Sequence, residues 1–169
     1  MKGEMILKRS NDLVFDMNDD KNITICSTLY DVIAGDVMHD IRLDMVVSKC
    51  SFDIISIHAH VKTPNYLKCH EAVGGISGLA GLNLCKGFNR RVLDLVGGVK
   101  GCFHLNNMIL QVGSAAFLSQ IFKTRQGITK WQDWVEQCKQ HPEHMDENIN
   151  YRIRQVPEID NSCYVCRIR

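Results

Sequence analysis

The sequence lacks both an excess of charge and a long apolar run. Its 169 residues carry 20 basic and 19 acidic side chains, for a formal net charge of +1. Proteins that bind nucleic acid through phosphate contacts have a strong basic excess, so we expect no nucleic-acid partner. No segment approaches the roughly 20 consecutive apolar residues of a membrane-spanning helix, and Met1–Met5 contains no apolar core of a signal peptide. We therefore expect a cytoplasmic protein with no membrane contact.

Cysteine, in contrast, is abundant. The chain has eight cysteines, and an exported protein of this size would use them for disulfides. Because we expect no export, these cysteines are interpreted as buried free thiols, metal ligands or redox thiols. The chain is long enough to bury one core, and no convincing linker interrupts it, so we predict a single domain over residues 1–169.

The first sixty residues follow the period-two alternation of β-strands. In the clearest strand one face collects six residues: Val37, His39, Ile41, Leu43, Met45 and Val47. The following strand places Ile55, Ile57, Ala59 and Val61 on its apolar face, opposite His58 and His60. This pattern predicts an antiparallel meander over about residues 5–62 with one buried face.

Beyond the meander, the apolar spacing changes to that of helices. The pattern from Phe88 to Val96 predicts a short helix that ends at Gly97-Gly98. Longer patterns predict helices from Leu105 to about Phe122 and from Ile128 to Cys138, within a helical layer over about residues 66–138. Strands followed by helices indicate an α+β fold, a two-layer sandwich with helices packed on one face of the sheet.

The candidate chemical centre is the stretch from Gly97 to Leu105, GGVKGCFHL. Its glycine-rich turn delivers Cys102 and His104 to the start of a helix, where the helix dipole favours a thiolate. Thiolate and imidazole are also the usual ligands of zinc and iron. On one continuous helix the two side chains would diverge by about 200°, so a shared metal requires Cys102 to lie in the turn. The alternative interpretation is a loop thiol beside a capping imidazole.

Two more residues complete a candidate ligand set. His39 shares a face with buried apolar residues, where an imidazole needs a polar partner. Cys69 lies near the start of an earlier predicted helix. With Cys102 and His104 they form a set of two cysteines and two histidines on the sheet face beneath the helices. The alternative interpretations are a histidine bonded to backbone and a small core cysteine.

Carboxylates and a terminal pair of cysteines extend the candidate site. Asp36 is an alternative ligand or an orienting carboxylate, and Asp40 is a second orienting carboxylate. The mixed donors favour zinc or iron, with an iron–sulfur cluster as a further form of iron. Cys163 and Cys166 have the spacing of a metal knuckle, but no second such pair exists. We expect them to be non-catalytic thiols in an irregular tail over residues 139–169.

Four sequence elements occur in a fixed order over about residues 22–121: Met38-His39-Asp40-Ile41, Pro64-x4-Cys69, Leu79-Ala80-Gly81-Leu82 with Gly87, and Gly97-Gly98 with Gly101-Cys102-x-His104-Leu105. This order resembles an uncharacterised bacterial family of small proteins, a domain of unknown function. The resemblance implies that His39, Cys69, Cys102 and His104 belong to one pattern, and it brings no assigned activity.

The same region also resembles the U-type iron–sulfur cluster scaffold proteins. Gly35-Asp36-Val37-Met38 stands at a strand entry, Cys69 at a helix start, and Cys102-x-His104 at a later helix. In those proteins a cysteine accompanies the Gly-Asp, where this chain has Ala34, and the late pair is His-Cys. The resemblance implies a similar architecture and site position, with His39 as the replacement ligand.

The leading hypothesis is a metal-binding protein, either a metalloenzyme or a carrier of metal or clusters. We expect its partner to be a small molecule or a metal-delivery protein, and a homo-oligomer is compatible with this. The first alternative is a metal-free thiol enzyme, in which Cys102 is the nucleophile and His104 or His39 activates it. The second alternative is a non-catalytic module for ligand binding or protein interaction.

Overall fold

A computed structural model describes residues 6–17, 19–63, 69–84, 87–121 and 125–144. The chain divides into two compact units, Met1–Ala116 and Phe117–Arg169. The single domain expected over residues 1–169 stays a prediction.

The first unit is built on a four-stranded antiparallel meander, as predicted. The strands follow one another in chain order, each hydrogen-bonded to the next: β1 (Leu7–Asp16), β2 (Asn22–Ile33), β3 (Asp36–Ser48) and β4 (Ile54–Val61). Between β2 and β3 the chain turns at Ala34 and Gly35, whose φ angles are +50° and +95°. Two successive positive φ angles are typical of a tight two-residue hairpin.

One face of the sheet is buried, and the prediction for it is confirmed in β2 and, from His39 onward, in β3. It is wrong at Val37, which precedes a register shift and pairs with Val32 instead of continuing the alternation. The buried apolar side chains there are Ile23, Ile25, Leu29, Ile41, Leu43, Met45 and Val47. In β4 the prediction is wrong at one position, because Ile54 is buried and Ile55 is 54% exposed. The register shifts between Val46 and Val47, which leaves Ile55 as an extra residue. Such a β-bulge interrupts the alternation on which the prediction was based.

Helices follow the sheet, which confirms the α+β class. In the first unit they are α1 (Cys69–Gly74), α2 (Phe88–Val96) and the beginning of α3 (Phe103–Ile121), with 3₁₀ turns at Gly75–Leu79 and Gly98–Lys100. The predicted helices that begin near Phe88 and Leu105 are therefore confirmed. Val92 of α2 and Ile109 of α3 are fully buried in the same core as the sheet residues.

The second unit contains the end of α3, then α4 (Arg125–Gln140) and a 3₁₀ turn at Pro142–His144. The helix predicted over Ile128–Cys138 is confirmed. Cys163 and Cys166, with most of the predicted tail, lie outside the described residues. Among the described helices, none combines the length and the apolarity needed to cross a membrane.

Candidate functional site

Three neighbouring strands align a guanidinium, a carboxylate and an imidazole in one row. Arg9 of β1 lies opposite Asp31 of β2, which lies opposite His39 of β3. Arg9 donates from Nε to Oδ1 and from Nη2 to Oδ2 of Asp31, both at 2.7 Å. His39 Nδ1 lies 2.9 Å from the same Oδ2. Asp31 is only 2% exposed, so a buried carboxylate holds the row together.

A β-bulge produces this alignment. The tight turn pairs Ile33 with Asp36, and the register then shifts by one residue between Val32 and Asp31, which leaves Met38 extra. Counted from the turn, a regular ladder would place Met38 opposite Asp31 and His39 opposite Tyr30. Bulges commonly redirect a side chain beside a functional site. Here the bulge joins the register of the turn to the register that pairs Leu29 with Ile41, and in that second register His39 lies opposite Asp31.

Helix α3 supplies a second imidazole. His104 is the second residue of this helix, and its ring centroid lies 3.9 Å from that of His39, with 41° between the ring planes. One ligand atom from each of Asp31, His39 and His104 lies within 4.8 Å of the other two, and we call these three residues the close group. In the described part of the chain, no other three histidine, cysteine or acidic residues approach each other this closely.

The glycine-rich turn places the start of α3 against the end of α2. A Cβ atom on Gly101 would lie 2.3 Å from the carbonyl oxygen of Val96, so only glycine fits there. Asn106 is buried and donates from Nδ2 to that same oxygen at 2.6 Å. Cys102 lies in the turn, and its carbonyl accepts the Asn106 backbone N–H at 2.9 Å. The condition that Cys102 precede the helix is therefore met.

Burial and neighbouring charges set the protonation states of Asp31 and His104. The bonds from Arg9, with a smaller contribution from His39, lower the pKa of Asp31 although burial opposes this. Burial lowers the pKa of His104, and repulsion from His39 and Arg9 lowers that pKa further. At neutral pH the carboxylate of Asp31 is therefore ionised, and the imidazole of His104 is neutral. A neutral imidazole has a lone pair that can bind a metal or accept a proton.

The structure brings together two of the predicted ligands, His39 and His104. Cys69 begins α1 and Cys102 precedes α3, and both are partly buried free thiols. Neither thiol belongs to the close group, which has Asp31 as its third member. Metal binding by the two cysteines stays a prediction, as does a nucleophilic role for Cys102.

The two predicted carboxylates are also outside the close group. Asp36 is exposed at the start of β3. Asp40 pairs with Lys62, with 3.4 Å between Oδ2 and Nζ. The orienting carboxylate in the structure is Asp31, on the neighbouring strand.

Sequence reasoning missed Asp31 and Arg9. A signal for Asp31 was available, because it continues the alternating buried positions of β2 after Leu29. An acid at a predicted buried position needs a cation or a donor. Arg9 carries no comparable signal, since β1 is mostly exposed and its register depends on the pairing with β2.

A pocket of about 240 Å³ lies beside the row. Its polar wall consists of Arg9, Asn11, His104, Asn107 and Gln111. Leu29 of β2 and Met108 and Leu110 of α3 provide its apolar part. The pocket therefore shares Arg9 with the row and His104 with the close group.

Fold and site together define a small α+β domain in which a sheet histidine bonded to a carboxylate lies beside a histidine of helix α3. The chain belongs to the protein family described as "Protein of unknown function (DUF2889)", whose model matches residues 10–118. The predicted resemblance to a domain of unknown function is thereby confirmed, and the matched range contains Asp31, His39 and His104. No curated protein and no solved structure matches the chain. The likeness to iron–sulfur scaffold proteins stays a prediction.

Proposed function

We propose that the protein binds a single zinc or iron ion through His39 and His104. The supporting observation is the pair of imidazoles 3.9 Å apart beside the buried carboxylate of Asp31. Imidazole suits both metals. Asp31 accepts a hydrogen bond from Nδ1 of His39, which leaves Nε2 as the ligand atom. A carboxylate behind a histidine ligand fixes the ring and makes the ligand more basic.

The composition of the close group favours one ion over a cluster. Iron–sulfur clusters are held by cysteine thiolates, and the group contains none. Two histidine ligands leave coordination positions open for water, substrate or a delivery protein, as catalysis or metal transfer requires. Cys102, two residues before His104, remains the candidate for a third ligand. A cytoplasmic location, part of this proposal, would keep the eight cysteines reduced.

Elemental analysis of protein purified without air or chelators tests the proposal. We expect about one zinc or iron ion per chain, and most of it lost in His39→Ala and in His104→Ala. His58→Ala is the matched control, because His58 is an exposed histidine on the opposite face of the same sheet. Parallel Cys69→Ser and Cys102→Ser variants determine whether thiols contribute. Wild-type protein that contains neither metal and takes up neither on reconstitution refutes the proposal.

The contact between Asp31 and His39 favours a second candidate, metal-free acid–base catalysis. A carboxylate 2.9 Å from Nδ1 orients an imidazole as a general base. In chelator-treated protein, diethyl pyrocarbonate should then modify His39 faster in the wild type than in Asp31→Asn. Equal rates in the two proteins would exclude this role for the pair.

A further inference from the structure

We infer that the pocket beside His104 binds a small organic carboxylate. This inference rests on the proposed function, because it names the class of molecule that would reach the same site. Its support is the charge, the donor pattern and the size of the pocket.

The lining of the pocket favours an anion. Arg9 is a permanent cation, and Asn11, Asn107 and Gln111 add amide donors. Among the residues that the structure describes, no aspartate or glutamate lines the pocket. Asp31 is the carboxylate nearest to Arg9, but it is 2% exposed and both of its oxygens already accept hydrogen bonds.

Arg9 keeps donors available after it binds Asp31. A guanidinium has five N–H donors in a planar fork, and the two bonds to Asp31 engage one on Nε and one on Nη2. The Arg9 side chain is 42% exposed, so it remains accessible. Arginine binds carboxylates well because its planar donors match the two carboxylate oxygens.

Helix α3 presents one continuous face to the pocket. His104, Asn107, Met108 and Gln111 are spaced at i, i+3, i+4 and i+7, which places them on one side of a helix. Met108 and Leu29 are 2% and 3% exposed and give this polar face an apolar base. The ligand therefore needs a charged end and a compact apolar body.

The size of the pocket limits the ligand. A volume of 240 Å³ corresponds to about eight water molecules at ~30 Å³ each. It is smaller than the roughly 300–1,000 Å³ of sites for drug-sized ligands. A small aromatic or branched monocarboxylate is of this size, and benzoate is a suitable probe.

Calorimetric titration of chelator-treated protein with benzoate and with benzamide tests the inference. The two probes share their shape, and only benzoate is charged. We expect benzoate to bind at least about tenfold more tightly than benzamide. The variant Arg9→Gln/Asp31→Asn removes both charges of the pair together and should abolish this preference. The matching pair on the opposite face, Arg42→Gln/Asp44→Asn, should leave it unchanged.

A second variant keeps the test decisive if the first does not fold. Asn107→Asp places a carboxylate in the wall of the pocket without changing the buried row, and it should weaken benzoate binding about tenfold while benzamide binding persists. Equal binding of both probes, no binding of either, or a preference for benzoate that appears only with added zinc overturns the inference. Metal content is measured on the same samples. Benzoate preference in a protein that never takes up zinc or iron supports the pocket and rejects the metal site.

Discussion

At neutral pH, replacement of Arg9 should destabilise the fold more than replacement of its partner Asp31. In Arg9→Leu an ionised carboxylate that is 2% exposed loses its cation. In Asp31→Asn the remaining guanidinium is 42% exposed and can be hydrated. Loss of one partner from a buried pair is severe only when the charge left behind stays out of water. Both variants remove the ion pair, but the charge left behind is a buried carboxylate in Arg9→Leu and a hydrated guanidinium in Asp31→Asn.

The loss in free energy of unfolding caused by Arg9→Leu has an upper limit that depends on pH, because the stranded Asp31 can be protonated. Protonation of the stranded Asp31 would cost about 1.4 kcal/mol for each pH unit above its ordinary pKa of about 3.9, or ~4 kcal/mol at neutral pH. At about pH 5 the same limit is only ~1.5 kcal/mol, because the pH is then close to the ordinary pKa of the carboxyl.

We therefore expect Arg9→Leu to lower the free energy of unfolding by about 1.5 kcal/mol at pH 5 and by up to ~4 kcal/mol at pH 7. For Asp31→Asn we expect ~1–2 kcal/mol at both pH values, since no carboxylate remains to be compensated. Urea unfolding followed by circular dichroism measures both. Arg42→Leu, in an exposed Arg–Asp pair on the opposite face, is the control and should change little. An Arg9→Leu penalty that does not rise with pH, or that is smaller than that of Asp31→Asn at pH 7, refutes the reasoning.

Three further predictions concern the start of α3. NMR titration should show that His104 is protonated at a lower pH than free histidine, because burial and His39 lower its pKa. As the pH falls, the unfolded chain therefore takes up this proton before the folded chain does. The free energy of unfolding should then decrease below about pH 6.5, and it should decrease less in His104→Gln. Gly101→Ala should lower the free energy of unfolding by about 1–3 kcal/mol, since its Cβ would lie 2.3 Å from the Val96 oxygen, whereas Gly78→Ala meets no atom within 4 Å and should be neutral in the same thermal melts. Iodoacetamide should modify exposed Cys50 before partly buried Cys102; mass spectrometry that finds the reverse order would instead support the thiol enzyme.

The fold was more predictable than the site, because buried positions can be recognised from nearby residues in the sequence, whereas the pairing register between strands cannot. Leu43 and Met45 reveal the buried face of β3 by alternation alone. The meeting of His39 with Asp31 depends on which residue faces which across a hairpin, and the bulge there changes that by one position. Alternation also misplaced Ile55 at the second bulge. The expected convergence of Cys69 and Cys102 with the histidines required helix positions that no periodicity specifies.

The Arg9–Asp31–His39 row is better explained by positioning than by stability. Buried ion pairs contribute little net stability, because desolvation offsets their attraction, and apolar residues of similar size often replace them without loss. The surrounding positions of this face, Leu29 and Ile41, are apolar and buried. The acid at position 31 is therefore explained by its hydrogen bond to His39, which orients that ring beside His104. Arg9 keeps that acid ionised, and it also brings its remaining donors to the pocket. One buried carboxylate thus links the proposed metal site to the proposed carboxylate site.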